Sequence, residues 1–249
     1  THPYYEKYLK NNYRLLDFEY KKLYKKNLRH KNFISPNNFK TKIKKIIKKR
    51  EFIAGFHTRN VPHTAHQWAH RFMLNKFRNI LIQPLIGQYK KKEYLDNVII
   101  KTNKRVCKMY EKNRAFFATY FSYPRYGGPL EAALHAIVRK NYGCTHFWVG
   151  RDHAGYKNFY SKYSSQTFCK KNEKKIGIKI ISEKEPYFCL GCKEIVNKKC
   201  FSKRCISSLK KEISGTKIRN LIDKNKQIPK FLMHEEISKL LNKKSIIHK

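Results

Sequence analysis

The chain has 249 residues, of which 41% are hydrophobic and 14% aromatic. This composition can bury a core, and it excludes an intrinsically disordered chain. Lys and Arg outnumber Asp and Glu by 57 to 17, giving a formal charge of +40, but the lysines are scattered along the chain, which favours compositional drift over a nucleic-acid-binding face. No apolar run approaches the roughly 18 residues of a membrane span. Neither a membrane nor a nucleic acid is therefore an expected partner.

Hydrophobic periodicity predicts alternating strands and helices. In chain order we predict a basic helix over 39–49, a strand at 52–56, a helix over 65–77, a strand at 79–87, a helix over 98–111, strands at 115–121 and 145–150 with a helix over 130–141 between them, a strand at 176–182, and helices from 213 and over 234–241. This order predicts an α/β fold with a Rossmann-like parallel sheet and helices on both faces. In such folds ligands bind outside the carboxyl ends of the strands.

Two histidines follow the first predicted strand in the sequence. His63 and His66 are one helical turn apart at the start of the helix over 65–77, so both imidazoles are expected to point the same way. Together with the N–H groups of the helix N-terminus they can hold a phosphate during phosphoryl or nucleotidyl transfer. An isolated HxxH pair is more often a pair of ordinary core or surface histidines, and the Glu of a zinc-protease HExxH motif is absent.

A second polar loop, Arg151 to Gly155, follows the strand THFWVG. The forked guanidinium of Arg151 suits phosphate or sulfate oxygens, and the small residues Ala154 and Gly155 let backbone N–H groups approach an anion. Asp152 is equally suited to a helix cap or a turn. The motif alone does not decide between these interpretations.

A third motif, ISGTKIR, spans Ile213 to Arg219. Ser214 or Thr216 is expected to cap a new helix whose first turn can bind a phosphate. When this motif is taken alone, an ordinary capped helix explains it better. The HxxH and ISGTKIR elements together match the HxGH-type nucleotidyltransferase pattern, in which both contact the triphosphate.

Three segments in order, GFHTRNVPHTAH, YGGPLEAALHAIVRKNYGCTHFWVGRDHAG and ISGTKIRNLI with the following IPKFLMHEEISKLL, resemble the ATP sulfurylase (sulfate adenylyltransferase) family. The resemblance runs from about Phe52 to Leu241. It implies a nucleotidyltransferase domain over 51–175 and a C-terminal region over 176–249. Residues 1–50 are similar to the lead-in from an N-terminal PUA-like β domain that is otherwise missing.

The resemblance implies that ATP and sulfate become adenosine 5′-phosphosulfate and pyrophosphate, by in-line attack on the α-phosphate of Mg²⁺-bound ATP. It assigns sulfate to His57, Arg59, Arg151 and the N–H of Ala154. It assigns the reaction centre to Thr58, Arg59, Asn60, His63 and His66, and ATP to His57, Asn60, Gly150, Arg151, Asp152, His153, Ser214 and Thr216. These loops must converge, so the guanidinium groups of Arg59 and Arg151 are expected to share one hollow.

Two residues depart from the family pattern. His57 stands where the family usually has Gln, and it brings a charge that can titrate near neutral pH. Leu130 stands where a GPREA-type segment carries Arg, which removes a charge that we expect near the site. Both departures leave open the possibility that the substrate differs from that of the family.

Four cysteines, Cys189, Cys192, Cys200 and Cys205, fall within 17 residues of sequence. They resemble the structural zinc loop of some family members, and a CxxC followed by a second pair suits tetrahedral zinc. Thiols without metal are the alternative. The cluster mildly favours a reducing compartment, either cytoplasmic or organellar. The resemblance implies that the natural N-terminus is missing, so we expect any targeting signal to be unreadable from this sequence.

Two rival functions stay open at this stage. One is a nucleotidyltransferase for another oxyanion or acceptor, and the other is an inactive homologue that binds nucleic acid through its positive charge. No P-loop kinase motif occurs in the chain. The resemblance also implies a homo-oligomer.

Overall fold

A computed structural model describes residues 30–48, 51–87, 93–198 and 210–246. Its main sheet contains six strands: β1 (Ile53–Thr58), β2 (Asn79–Ile86), β3 (Ala115–Phe117), β4 (Tyr120–Phe121), β5 (His146–Trp148) and β6 (Lys179–Ile181). The strand order is β3-β2-β1-β5-β6, with β4 also paired to β2, and every pairing is parallel. The predicted parallel α/β fold is confirmed.

Eight α-helices are present in the described ranges. They are α1 (Pro36–Lys44), α2 (Thr64–Phe77), α3 (Asp96–Lys108), α4 (Gly128–Asn141), α5 (Ser164–Lys171), α6 (Glu173–Ile176), α7 (Gly215–Asp223) and α8 (Glu235–Ser238). Side chains of α2, α3, α7 and α8 form one buried cluster, and those of α1, α4 and α5 form another. Because helices cover both faces, every residue of β2 is buried, which explains its nearly continuous apolar sequence. None of the helices in the described ranges has the length and apolar character that a membrane crossing needs.

The C-terminal region adds a small antiparallel sheet of β7 (Tyr187–Cys189), β8 (Glu194–Val196) and β9 (Lys210–Glu212), in the order β8-β7-β9. These strands were not predicted, because their alternation is short and two of them carry charged ends.

Several predicted bounds are wrong. The strand expected over 115–121 is split into β3 and β4, and the helix expected over 234–241 is only the single turn α8. The helices α5 and α6 occupy a stretch in which no regular structure was expected. All of these elements are short and gain their order from packing, which local periodicity does not report.

The chain order of the strands reverses between β1 and β5. From β1 the chain continues outward through β2 and β3, whereas β5 and β6 extend the sheet on the other side. The loops that leave two such strands diverge to opposite faces and open a crevice at the carboxyl ends. This crevice holds the candidate site.

Candidate active site

A cavity of about 340 Å³ lies at the carboxyl ends of β1 and β5. The loop after β1, the loop after β5 and the start of α7 form its walls. It is lined by every residue that was predicted to contact ATP or sulfate, namely His57, Thr58, Arg59, Asn60, His63, His66, Gly150, Arg151, Asp152, His153, Ala154, Ser214 and Thr216. Arg59 and Arg151 therefore line one cavity, and the contact of each residue with a substrate stays a prediction.

The loop after β1 is held by its own side chains. The hydroxyl of Thr58 accepts a hydrogen bond of 3.0 Å from the N–H of Asn60. The side-chain oxygen of Asn60 accepts one of 2.9 Å from Arg219 on α7, so two walls of the cavity are joined directly. The guanidinium carbon of Arg59 lies 4.7 Å from the centre of the Tyr126 ring, a cation–π contact that orients this charge.

His63 and His66 stack at the start of α2. Their ring centroids are 3.7 Å apart, and Nδ1 of His63 caps the helix by accepting from the N–H of His66. Burial, with a contribution from Arg219, lowers the pKa of His63 to about 4. Burial also lowers the pKa of His66 well below its ordinary value, and His63 adds to this effect. Both rings are thus neutral near neutral pH, and His63 carries its proton on Nε2.

The loop after β5 has an unusual backbone. Asp152 and Ala154 have φ of 51° and 57°, in the left-handed region that non-glycine residues seldom occupy. Asp152 therefore forms a turn and caps no helix. Among the described residues nothing accepts a hydrogen bond from the N–H of Ala154, as its predicted use as an anion donor requires.

The guanidinium of Arg151 already has carboxylate partners. It lies 2.8 Å from Glu185 and 3.5 Å from Glu212, and Glu185 also lines the cavity. An oxyanion must therefore compete with these two glutamates for Arg151. We expect Arg59, whose guanidinium is oriented by the Tyr126 ring, to contact the same anion.

The start of α7 forms the third wall. Ser214 is its N-cap residue, but the Ser214 side chain makes no capping hydrogen bond, and the hydroxyl of Thr216 accepts instead from Arg219 at 3.1 Å. Ser214 is therefore at the predicted cap position, but it does not make the side-chain hydrogen bond that usually accompanies such a cap. The first-turn N–H groups stay available to a phosphate.

His57 rests on a buried arginine that was not predicted from the sequence. Arg139 of α4 is fully buried, and its Nη2 donates to Nδ1 of His57 at 2.8 Å and to the carbonyl of Gln83 at 2.9 Å. Burial, helped by the nearby His135 and Arg139, lowers the pKa of His57 well below its ordinary value. The expectation that His57 titrates near neutral pH is thus wrong, because its surroundings already disfavour a second positive charge.

His57, His135 and His153 place their ring nitrogens within 4.8 Å of one another, a composition that could hold a metal ion. The rings of His57 and His135 are stacked, however, with centroids 4.0 Å apart and planes 27° apart. The lone pairs of stacked imidazoles lie in two nearly parallel planes and do not meet at one ion. The nitrogens of His135 and His153 also hydrogen-bond each other at 3.0 Å, so the trio fits a hydrogen-bond network better than a metal site.

Leu130 and the cysteines complete the predicted features. Leu130 is 71% exposed and does not itself line the cavity, whereas the adjacent Glu131 does, so the effect of the lost charge stays a prediction. Cys189 ends β7, and Cys192 lies in the turn before β8. Cys200 and Cys205 lie outside the described residues.

Known proteins match this chain over the residues that form the sheet and the cavity. The ATP-sulfurylase family profile matches residues 30–244. The chain belongs to the ATP-sulfurylase family. A relative named sulfate adenylyltransferase, from Carboxydothermus hydrogenoformans, is 35% identical over 209 residues, which cover 82% of this chain and 54% of the relative. Relatives of the same name from Ignicoccus hospitalis and Thermococcus onnurineus are 37% and 38% identical, each across 76% of this chain and 49% of the relative.

The chain spans about half the length of the curated relatives it matches. Among solved structures, a hexameric APS kinase from Thiobacillus denitrificans aligns with a TM-score of 0.66 and 14% sequence identity, over 84% of this chain and 39% of that one. This likeness concerns the fold alone, and it agrees with the Rossmann-like sheet. The family membership rests on the sequence matches.

Proposed function

We propose that this chain is a sulfate adenylyltransferase, which joins sulfate to the α-phosphate of ATP and releases pyrophosphate. The convergence of three anion-binding elements at one switch point supports the proposal: the loop after β1, the loop after β5 and the start of α7 all line the same cavity. Each offers N–H donors or guanidinium groups at a position where α/β proteins bind ligands. The curated relatives carry the same name.

The reaction needs two anions to be held together. Sulfate is a poor nucleophile, so most of the barrier reduction must come from positioning and from stabilising charge on the pentacoordinate α-phosphorus. In our proposal Arg59 and the N–H of Ala154 hold sulfate, joined by Arg151 once it leaves its glutamates. A sulfate oxygen then attacks in line as pyrophosphate departs, and no covalent bond to the enzyme forms.

The nucleotide takes the remaining donors. Asn60, His57 and residues 150–153 are proposed to contact ATP, and the first turn of α7, with Ser214 and Thr216, to receive phosphate oxygens. Thr58 keeps the loop after β1 in shape through its bond to Asn60. His63 and His66 are proposed to donate from Nε2 to the transition state, which neutral rings achieve without adding charge before the substrates bind.

Two metals enter this proposal in different ways. Mg²⁺ arrives as the complex of ATP, whose phosphate charge it partly neutralises. Zinc would be a structural ion held by Cys189, Cys192, Cys200 and Cys205. The described half of the set fits, since Cys189 ends β7 and Cys192 lies in the tight turn before β8, an arrangement that suits a CxxC zinc ligand pair. Homo-oligomeric assembly and a cytoplasmic or organellar location stay predictions.

The function is tested by pyrophosphate release from Mg-ATP with and without sulfate. We expect release that requires sulfate and yields adenosine 5′-phosphosulfate in equal amount. Release that depends on another oxyanion and ignores sulfate would assign the site to a different acceptor. Salt-steep binding to RNA or DNA with no pyrophosphate release would favour the nucleic-acid-binding alternative.

The zinc proposal has its own measurement. Elemental analysis of the purified chain is expected to find about one zinc per chain, and a Cys189→Ser/Cys192→Ser double variant is expected to lose it. Cys169→Ser is the matched control, because Cys169 is buried in the α5 packing far along the chain from the cluster. Zinc retained by the double variant, or absent from the parent, would contradict this part of the proposal.

A further inference from the structure

Arg139 is a buried cation with no carboxylate partner in the described part of the chain. Its side chain is fully buried, and its guanidinium carbon lies 4.9 Å from the centre of the Tyr120 ring and 5.7 Å from that of Phe147. Its Nη1 donates to the carbonyl of His135, four residues earlier on α4, at 3.3 Å. Burying such a charge is costly unless the group has a task or a strong set of acceptors.

The sequence makes room for this arginine at one glycine. A Cβ added to Gly55 of β1 would lie 2.7 Å from Cγ of Arg139, closer than atoms approach in real structures. Gly55 therefore lets the stem of Arg139 pass beneath β1 and reach His57, two residues further along the same strand. The contact between Arg139 and His57 is thus built by two separated parts of the chain.

The contact fixes the chemical state of His57. A guanidinium only donates hydrogen bonds, so Nδ1 of His57 must accept, and a neutral ring then carries its proton on Nε2. His57 lines the cavity, and no described residue hydrogen-bonds its Nε2. Nε2 is therefore the nitrogen left for a ligand.

We propose that Arg139 is a positioning residue, which locks His57 in the Nε2–H tautomer so that His57 is a permanent N–H donor to the oxyanion. Arg139 does not line the cavity, and it acts through His57 alone. In this arrangement the histidine presents one outward N–H donor, as a side-chain amide at this position would. The proposal rests on the proposed sulfate site, and it names a residue on which that site depends.

The tautomer is measured directly by long-range proton–nitrogen NMR of the chain labelled with ¹⁵N-histidine. The signal of His57 is assigned by its loss in His57→Ala. We expect the Nε2–H form in the parent, and a mixture or the Nδ1–H form in Arg139→Met. This readout needs no turnover, so it stands even if sulfate-dependent pyrophosphate release fails and the proposed function is overturned. A His57 that keeps the Nε2–H form in Arg139→Met would overturn the inference.

Kinetics test whether Arg139 acts through His57. Arg139→Met is expected to lower kcat/KM for sulfate by about 10- to 100-fold in the parent, but by less than about 3-fold in a His57→Ala background, because residues that act as one unit are not additive. Equal losses in both backgrounds would show a role independent of His57 and overturn the inference.

Two further variants guard against a trivial loss of folding. Arg139→Lys keeps a donor and is expected to recover part of the activity and the Nε2–H tautomer. Gly55→Ala keeps Arg139 but displaces it, and is expected to reproduce the tautomer change of Arg139→Met. Circular dichroism checks that each variant folds. If Arg139→Met does not fold, these two variants carry the same NMR and kinetic readouts, and an unchanged tautomer in Gly55→Ala would contradict the inference.

Discussion

Arg59→Ala is expected to lower sulfate-dependent pyrophosphate release by about 10²- to 10³-fold, the usual cost of removing one preorganised donor to developing negative charge. Arg59 lines the cavity and stacks on Tyr126 at 4.7 Å, so its charge is already oriented before substrate binds. Arg151 is paired with two glutamates, with which an oxyanion must compete. Removal of Arg59 is therefore expected to take away an arginine charge that is already oriented in the cavity. His66→Ala is expected to show a loss of the same kind.

The matched control is Lys171→Ala, which removes an exposed cation at the end of α5. It tests whether any loss of positive charge from this strongly basic chain weakens anion binding. We expect Lys171→Ala to retain activity within about 2-fold, because exposed charges are screened by salt. Equal losses from Arg59→Ala and Lys171→Ala would contradict the assignment of Arg59, provided that circular dichroism shows both variants folded.

The loops of the site were predictable from the sequence because strand exits carry a local signal. An apolar run that stops at HTRN, or at GRDHAG, shows where a buried strand ends and polar side chains begin. The parallel sheet then implies that these exits share one edge. The structure places β1 and β5 side by side, so the pattern indicated the position of the cavity as well as its residues.

The supporting contacts were not predictable from the sequence. Arg139 stands in the last turn of α4, where a basic residue is ordinarily explained by the helix dipole. Its burial depends on Gly55, which is distant in sequence and whose role appears only when β1 and α4 are packed together. Arg219 likewise meets Asn60 across 159 positions. Such pairings depend on tertiary packing, about which the periodicity of a single segment contains no information.

The pKa of His57 shows the same limit. Sequence supplies only the ordinary histidine pKa, which lies near neutrality. The structure adds burial first, and then the neighbouring His135, Arg139, His153 and Arg59, all of which disfavour the charged ring. A histidine interpreted as a titrating departure from the family is therefore a neutral donor in the folded chain.

Acid is expected to destabilise the protein steeply, because the folded chain keeps several buried histidines neutral. His70 is fully buried, with Nδ1 3.0 Å from the hydroxyl of Tyr110, and burial lowers its pKa from 6.5 to about 3. Burial likewise lowers the pKa of His153 to about 3 and that of His63 to about 4. In the unfolded chain these histidines are protonated below about pH 6.5, whereas in the folded chain they stay neutral until the pH approaches their lowered pKa values. The contribution of these neutral histidines to the free energy of unfolding is therefore fully present above that pH. It is lost as the pH drops toward 3 to 4, by up to about 1.4 kcal/mol per pH unit for each such group.

His70→Gln isolates one of these groups, since an amide can still bond the Tyr110 hydroxyl but does not titrate in this range. At pH 8 we expect the variant to be less stable than the parent, because it fills the buried space less well. Between pH 6.5 and 4.5 the difference in the free energy of unfolding should narrow by about 2 to 3 kcal/mol, as only the parent loses the contribution of His70. Urea unfolding at several pH values measures both curves. Curves that stay parallel across this range would mean that His70 is protonated in the folded chain.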